Sequence, residues 1–315
     1  MEKCIVGGTC MDFKQIEAFV NVVKYKKFSR AADASFLTQP TISTHINNLE
    51  KELNAVLLNR QGREITMTKQ GEAFYSYATN ILNLREQAIL SVQGMSREVE
   101  GIMEIQTSSI PGQYYVPKLL GEFRSRYPGV KIFLEQSDSR NVMDNVINQK
   151  GEIGFTGTKL SNNLVYEEIF TDDMILITPN KGKFARMESD VVSVQEIVGE
   201  NFILREDGSG TKKEFEKTEI KGISILKMVN VIAHMNNTEA IKNAVINGMG
   251  ISVLSACAAG DLKNNKQLKC FKIAGLSQKR HFYMVRNRTY CLSPAAEHFW
   301  NFVLEKRDAK NAGEE

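Results

Sequence analysis

Five side chains that end in amides or hydroxyls, Gln39, Thr41, Ser43, Thr44 and Asn47, lie within nine residues of one another. Such groups both donate and accept hydrogen bonds at base-pair edges in the major groove of DNA. Ile42, Ile46, Leu49 and Leu53 recur through the same stretch at steps of four, three and four. That spacing predicts a helix with one apolar face and the polar five on the other side. Thr38 is placed to cap it, and Pro40 falls in the first turn, where its missing N–H costs little. A solvated helix in an ordinary bundle has the same spacing, so spacing alone leaves both readings open.

Positive charge surrounds this stretch. Lys24, Lys26, Lys27 and Arg30 form a cluster with no acid among them. Leu57 to Thr68 reads as a hairpin turning at Gly62, with Arg60 and Arg63 near the turn. A basic hairpin after two helices holds a module on phosphates without reading sequence. Upstream, Phe13, Ile16, Phe19, Val20 and Val23 mark a first helix. Ser29 is expected to cap a second, whose Ala31, Ala32 and Ala34 allow close packing.

A second group of residues suits small anions. Thr107 to Gly112 (TSSIPG) lies between a strand-like run and a helix-like one, and Glu206 to Thr211 (EDGSGT) repeats that placement. Hydroxyls and free N–H groups at a helix start attract anions, and glycines let the backbone approach a ligand. Asn236–Thr238 precedes another helix, and Gln136–Ser137 ends a strand. Each alone is equally an ordinary cap or turn; their shared position at strand-to-helix crossings is what groups them. Glu206 and Asp207 fit either a positive group on the ligand or helix-start charge.

Catalytic and metal patterns do not appear. His45, His234, His281 and His298 lack metal-ligand spacing, and no P-loop, nucleophile elbow or dinucleotide fingerprint is present. No cofactor is expected. Five scattered cysteines suggest reduced thiols in a cytoplasm. A net charge of +3 makes the positive charge local rather than general. No run of eighteen apolar residues exists, so no membrane partner is expected.

The elements that must position these residues divide the 315-residue chain. Residues 1–10 are expected to be a disordered extension, and 11–68 a winged helix-turn-helix. Phe74, Tyr77, Ile81, Leu84, Ala88, Val92 and Met95 predict one long helix within 69–98 whose apolar stripe needs a partner. After a hinge at 94–101, strand-like runs alternate with helices across 101–305, which implies mostly parallel α/β architecture. The run restarts after Asn162, so lobe I is placed at 101–162 and 268–300 and lobe II at 163–267.

The N-terminal pattern resembles the LysR-type transcriptional regulators. The matching residues are Phe19–Val20, Phe28, Ala31–Ala32, Leu37, Thr38–Gln39–Pro40, Ser43, Ile46, Leu49–Glu50 and Leu53, then Arg60, Thr68 and Gly71. Thr44 stands where the family often has arginine, Leu58 where phenylalanine is usual and Gln70 where alanine is, which leaves the operator sequence open. The resemblance implies base contacts at Gln39, Pro40, Ser43 and Thr44, with Arg60 and Thr68 on the DNA backbone. It also implies a two-lobed, periplasmic-binding-protein-like (type 2) effector domain with ligand contacts at Ser108, Ser109, Ser137, Ser209, Thr211 and Thr238. The implied partners are promoter DNA, a second copy in a dimer or tetramer, RNA polymerase, and a small anionic or zwitterionic metabolite. The chain looks most similar to members tied to sulfur or selenium assimilation. The competing reading is a two-lobed binding protein or enzyme on the same fold, without regulatory DNA binding.

Overall fold

The computed structural model describes residues 11–61, 64–93, 99–220, 222–260, 266–275 and 279–313. The extension at 1–10, most of the hinge at 94–98, and Gly62 and Arg63 at the hairpin turn lie outside them. The chain forms two compact units, Met1–Glu98 with Tyr290–Pro294, and Val99–Thr289 with Ala295–Glu315.

In the first unit, α1 (Phe13–Tyr25), α2 (Phe28–Ala34) and α3 (Gln39–Glu52) precede a hairpin of β1 (Leu58–Asn59) and β2 (Thr66–Met67), then α4 (Lys69–Gln93). Asp12 and Gln15 form a capping box at the start of α1. Thr38 caps α3 by accepting from the Thr41 N–H, with Pro40 in the first turn. Ser29 does not cap α2. The chain is still extended at Lys27, which takes the cap position without a side-chain bond, and Ser29 is already helical. Ala31 and Ala32 are buried, whereas Ala34 faces outward. Phe19, Ile42, Ile46, Leu49, Leu57 and Leu58 form the core. Phe74 and Tyr75 of α4 close it, the Phe74 ring 5.3 Å from that of Phe19. Gly71 admits no side chain, because a Cβ would lie 2.1 Å from the Leu57 carbonyl oxygen.

The second unit runs β3 (Gly101–Ser108), a π-helical turn (Pro111–Tyr115), α5 (Val116–Arg126), β4 (Val130–Ser137), α6 (Ser139–Ile147), β5 (Ile153–Thr156) and β6 (Leu164–Pro179). It continues with α7 (Gly182–Ala185), β7 (Val191–Val192), α8 (Val194–Ile197), β8 (Asn201–Arg205), α9 (Gly210–Glu216) and the short β9 (Glu219–Ile220) and β10 (Ile223–Ser224). Then come β11 (Asn230–Met235), α10 (Thr238–Ile246), β12 (Ser252–Ser255), α11 (Ala256–Ala259), β13 (Leu268–Ile273), β14 (Lys279–Asn287) and α12 (Pro294–Ala312).

β3 pairs in parallel with β4 and β5, and β8 with β11. β14 and β12, however, run antiparallel to β6, so the architecture is mixed. β6 is one continuous sixteen-residue strand. Its Leu164–Asp173 half pairs with β14 and its Met174–Ile177 stretch with β12, so the chain passes between lobes inside β6. Lobe II therefore starts at about Met174 rather than 163. β13 also pairs with the far half of β6, which leaves β14 as the strand that returns to lobe I. Asp172, within β6, is buried with its carboxylate accepting from the Ser255 hydroxyl and the Cys257 N–H.

Candidate functional site

On the first unit, Gln39, Pro40, Thr44 and Asn47 are exposed along the start of α3, with Thr41 and Ser43 half-buried beside them. Thr41 Oγ1 pairs with Thr38 Oγ1 at 2.8 Å, and Thr44 Oγ1 donates to the Pro40 carbonyl at 2.9 Å. Both hydroxyls must leave, or share, these local bonds to meet a base. Lys27 and Arg30 are exposed and form no ion pair among the described residues, so their charge is available to phosphate.

Arg60 and Thr68 are engaged internally. Arg60 Nη2 donates to Glu50 Oε2 at 2.7 Å and Asn47 Oδ1 at 2.8 Å, and its guanidinium lies 5.5 Å from the centre of the Phe28 ring. Thr68 Oγ1 donates to the Val56 carbonyl at 2.6 Å and accepts from the Gly71 N–H. These two residues brace the hairpin against the helices.

In the second unit, the ends of β3 and β8 and the starts of α6 and α9 enclose a cavity of about 20 Å³. That is room for roughly one water. Ser108, Ser109, Asp138 and Ser139 line it from lobe I, and Arg205, Glu206, Ser209 and Thr211 from lobe II. Arg280, on the return strand β14, completes the wall. Gly208 makes the close approach possible: a Cβ there would lie 2.7 Å from Asp138 Cγ.

Two buried arginines dominate the electrostatics, and they differ. Arg205, 5% exposed, is neutralised: Nε and Nη2 grip the Glu206 carboxylate at 2.8 and 2.9 Å. It also donates to Thr238 Oγ1 at 2.8 Å and to Ser109 Oγ at 3.1 Å. Arg280, 3% exposed, donates to Thr211 Oγ1 at 2.9 Å and packs on the Phe282 ring at 4.7 Å. Among the described residues no carboxylate is within ion-pair distance of Arg280, and its Nε has no hydrogen-bond partner. Burial lowers its pKa to about 10, partly opposed by Asp172, so it is still a cation at neutral pH. Gly157 and Gly210 leave room for the guanidinium, since a Cβ on either would lie 2.9 Å from Nη2. A hydroxyl that accepts from arginine keeps its own proton to donate. Thr211 and Ser109 therefore offer O–H groups to an anionic group, beside a guanidinium that forms no ion pair among the described residues.

The matched family models cover both units. Residues 13–72 match the bacterial regulatory helix-turn-helix protein, lysR family, and residues 96–308 match the LysR substrate binding domain. The chain belongs to the LysR family of transcriptional regulators. It is 30% identical over 298 residues to the transcriptional activator CmpR of Synechocystis, spanning 94% of this chain and 95% of CmpR. The fold matches full-length OxyR of Pseudomonas aeruginosa (TM-score 0.75, 15% identity, 94% of this chain and 97% of OxyR). It also matches the Synechocystis CcmR regulatory domain solved in complex with 2-PG (TM-score 0.58, 24% identity, 66% of this chain and 98% of CcmR). Membership in a family of DNA-binding regulators displaces the reading as a stand-alone binding protein or enzyme.

Within this LysR regulator, the six hydroxyl residues singled out in the effector domain do not all meet. Ser108, Ser109, Ser209 and Thr211 line the cavity. Thr238 stands behind Arg205, and Ser137 bonds the Asp138 carbonyl while Asp138 and Ser139 take the wall beside it. Both arginines escaped the sequence reading. Arg280 left a trace, because it shares the buried parity of β14 with Phe282 and Met284.

Proposed function

We propose that this regulator binds a small anionic effector between its two lobes, with Arg280 as the anchor and Ser109, Thr211 and Ser209 as neutral donors. The observation that carries this is the buried Arg280 cation, with no carboxylate at ion-pair distance among the described residues. An unpaired buried charge is costly, and an anionic ligand removes that cost. The effector then stabilises one lobe arrangement over another, which is the only way a ligand can shift such an equilibrium. The CcmR regulatory domain, which shares this fold, was solved with a small molecule, 2-PG, bound. The resemblance to sulfur-linked members adds sulfate and thiosulfate to the candidates. A thermal-shift screen of small carboxylates and sulfur oxyanions tests the site. A ligand at a hundred times its dissociation constant adds about 2.7 kcal/mol. The shift is expected to vanish in Ser109→Ala and Thr211→Ala; a shift that survives in both moves the ligand elsewhere.

On the DNA side, Gln39, Pro40, Thr41, Ser43 and Thr44 are assigned to the major groove, and Lys27, Arg30 and Arg63 to phosphates. Arg60 and Thr68 are assigned to supporting the wing. Gln39→Ala is expected to cost about 1–3 kcal/mol on the cognate operator and to relax specificity at one base pair. Lys27→Ala weakens all sequences alike and lowers the slope of log K against log salt by about one. Equal loss on cognate and random DNA for Gln39→Ala would remove α3 from base readout.

Self-association is assigned to α4, where Leu84 and Val92 are exposed beside an apolar groove of about 620 Å³ formed with Phe13 and Ile89. A dimer through this face presents two recognition helices to a two-fold operator. Phe133 and Leu134 on the edge strand β4 supply the second surface that a tetramer needs. No described helix is long and apolar enough to cross a membrane, and we place the regulator in the cytoplasm with the promoter and the polymerase it acts on.

A further inference from the structure

Beside the cavity, on the other side of Gly157 and Arg280, lies a groove of about 400 Å³. Where the cavity holds about one water, this groove is in the size range of metabolite sites. Lys159, Lys213, Lys217 and Lys279 line it against one lining carboxylate, Glu214, which Lys217 pairs at 2.7 Å. Lys213 is half-buried and Lys279 exposed, and neither forms an ion pair among the described residues. Lys159 Nζ is held 4.3 Å from the centre of the Tyr283 ring. Arg280 lines the groove as it lines the cavity, and Thr158 beside it has a buried hydroxyl without a hydrogen-bond partner.

From this arrangement we propose that the lysine-lined groove is a second anion site, separate from the effector cavity, and that it takes a phosphate-bearing metabolite. Lysine and arginine suit different anions. A single guanidinium with hydroxyls fits one planar or small group, as in the cavity. Several ammonium groups around an open space suit a phosphate ester, with about −1.5 to −2 charge and three acceptor oxygens per group. Because Arg280 lines both sites, an anion in one changes the field at the other, so the two are coupled and reciprocally so. The groove goes beyond the effector reading and shares with it only Arg280.

Isothermal titration of the full-length regulator with pyrophosphate, in chloride buffer, tests the proposal. Saturable binding is expected. It should weaken about tenfold or more in both Lys213→Glu and Lys279→Glu, while Lys131→Glu, on the exposed edge strand β4, matches the unmodified chain. Lys279 is exposed and Lys213 partly exposed, and circular dichroism checks that each variant is folded. Binding untouched by the two groove variants but lost in Thr211→Ala would place pyrophosphate in the cavity and overturn the proposal. No saturable binding at millimolar pyrophosphate, or equal loss in all three lysine variants, would overturn it as well.

Discussion

Arg280→Met is expected to abolish effector-induced stabilisation while leaving the ligand-free protein as stable as before, or more so. The guanidinium is buried and donates to Thr211, and among the described residues no carboxylate lies at ion-pair distance. Replacing a buried charge by an apolar side chain of similar length is commonly neutral or stabilising by about 1–4 kcal/mol. Methionine is flexible enough to keep the contact with Phe282. Ligand binding moves the opposite way. Removing one partner of a buried, hydrogen-bonded charge pair costs about 2–5 kcal/mol, or about thirty-fold to a few thousand-fold in Kd. Arg205→Met is the contrast: it strands the Glu206 carboxylate and the Thr238 hydroxyl, so the ligand-free protein itself should lose about 3–5 kcal/mol. Calorimetric unfolding of the two variants, with and without anion, separates these outcomes. A ligand-free Arg280→Met as unstable as Arg205→Met would make Arg280 a structural residue and remove it from the effector site.

The pH dependence follows with a definite sign. A guanidinium whose pKa burial has lowered to about 10 is fully charged at pH 7 and loses its proton as pH rises through 10. Anion binding through it should therefore be level across the neutral range and fall only above about pH 10, provided the anion itself does not titrate there. A loss centred near pH 6.5 would point to a histidine instead.

How much of this was legible before the structure depends on how local each signal is. Ile42, Ile46 and Leu49 mark the buried face of α3 because a helix writes its environment into a window of a few residues, and all three are in the core. The hairpin is equally local, its two arms separated by six residues. The effector cavity is not. Arg205 and Arg280 are far apart in sequence and reach the same wall only because β14 returns across β5 and β6. No spacing rule connects them. The burial of Asp172 within β6 is not local either, because its partners, Ser255 and Cys257, come more than eighty residues later. Ser137 ends β4 with its hydroxyl on the Asp138 carbonyl, whereas Asp138, the N-cap, and Ser139, the first residue of α6, line the cavity; which residues of a strand-to-helix crossing face the ligand is set by the turn, not by the strand.

Glu50→Ala is expected to uncouple the wing from the recognition helix and to lower the stability of the DNA-binding unit by about 2–4 kcal/mol. One Glu50 oxygen accepts from the backbone N–H groups of Leu57 and Leu58, at 2.8 and 3.2 Å, and the other from Arg60 at 2.7 Å. Leu57 and Leu58 are buried, so their N–H groups have no easy access to water once the carboxylate is gone. Each stranded donor costs about 1–3 kcal/mol, and partial relaxation of the hairpin recovers some of it. For a unit of this size, 1 kcal/mol is worth about 4–8 °C, so the first calorimetric transition should fall by roughly 8–32 °C. Operator affinity should also fall well below the new transition, because the freed wing no longer holds its basic residues in register with α3. Glu50→Gln keeps one oxygen for the two N–H groups and removes only the charge facing Arg60, so it should cost about 1 kcal/mol or less. If Glu50→Ala instead melts like the unmodified chain, the carboxylate is not what ties the wing, and Arg60 returns to the list of direct DNA contacts.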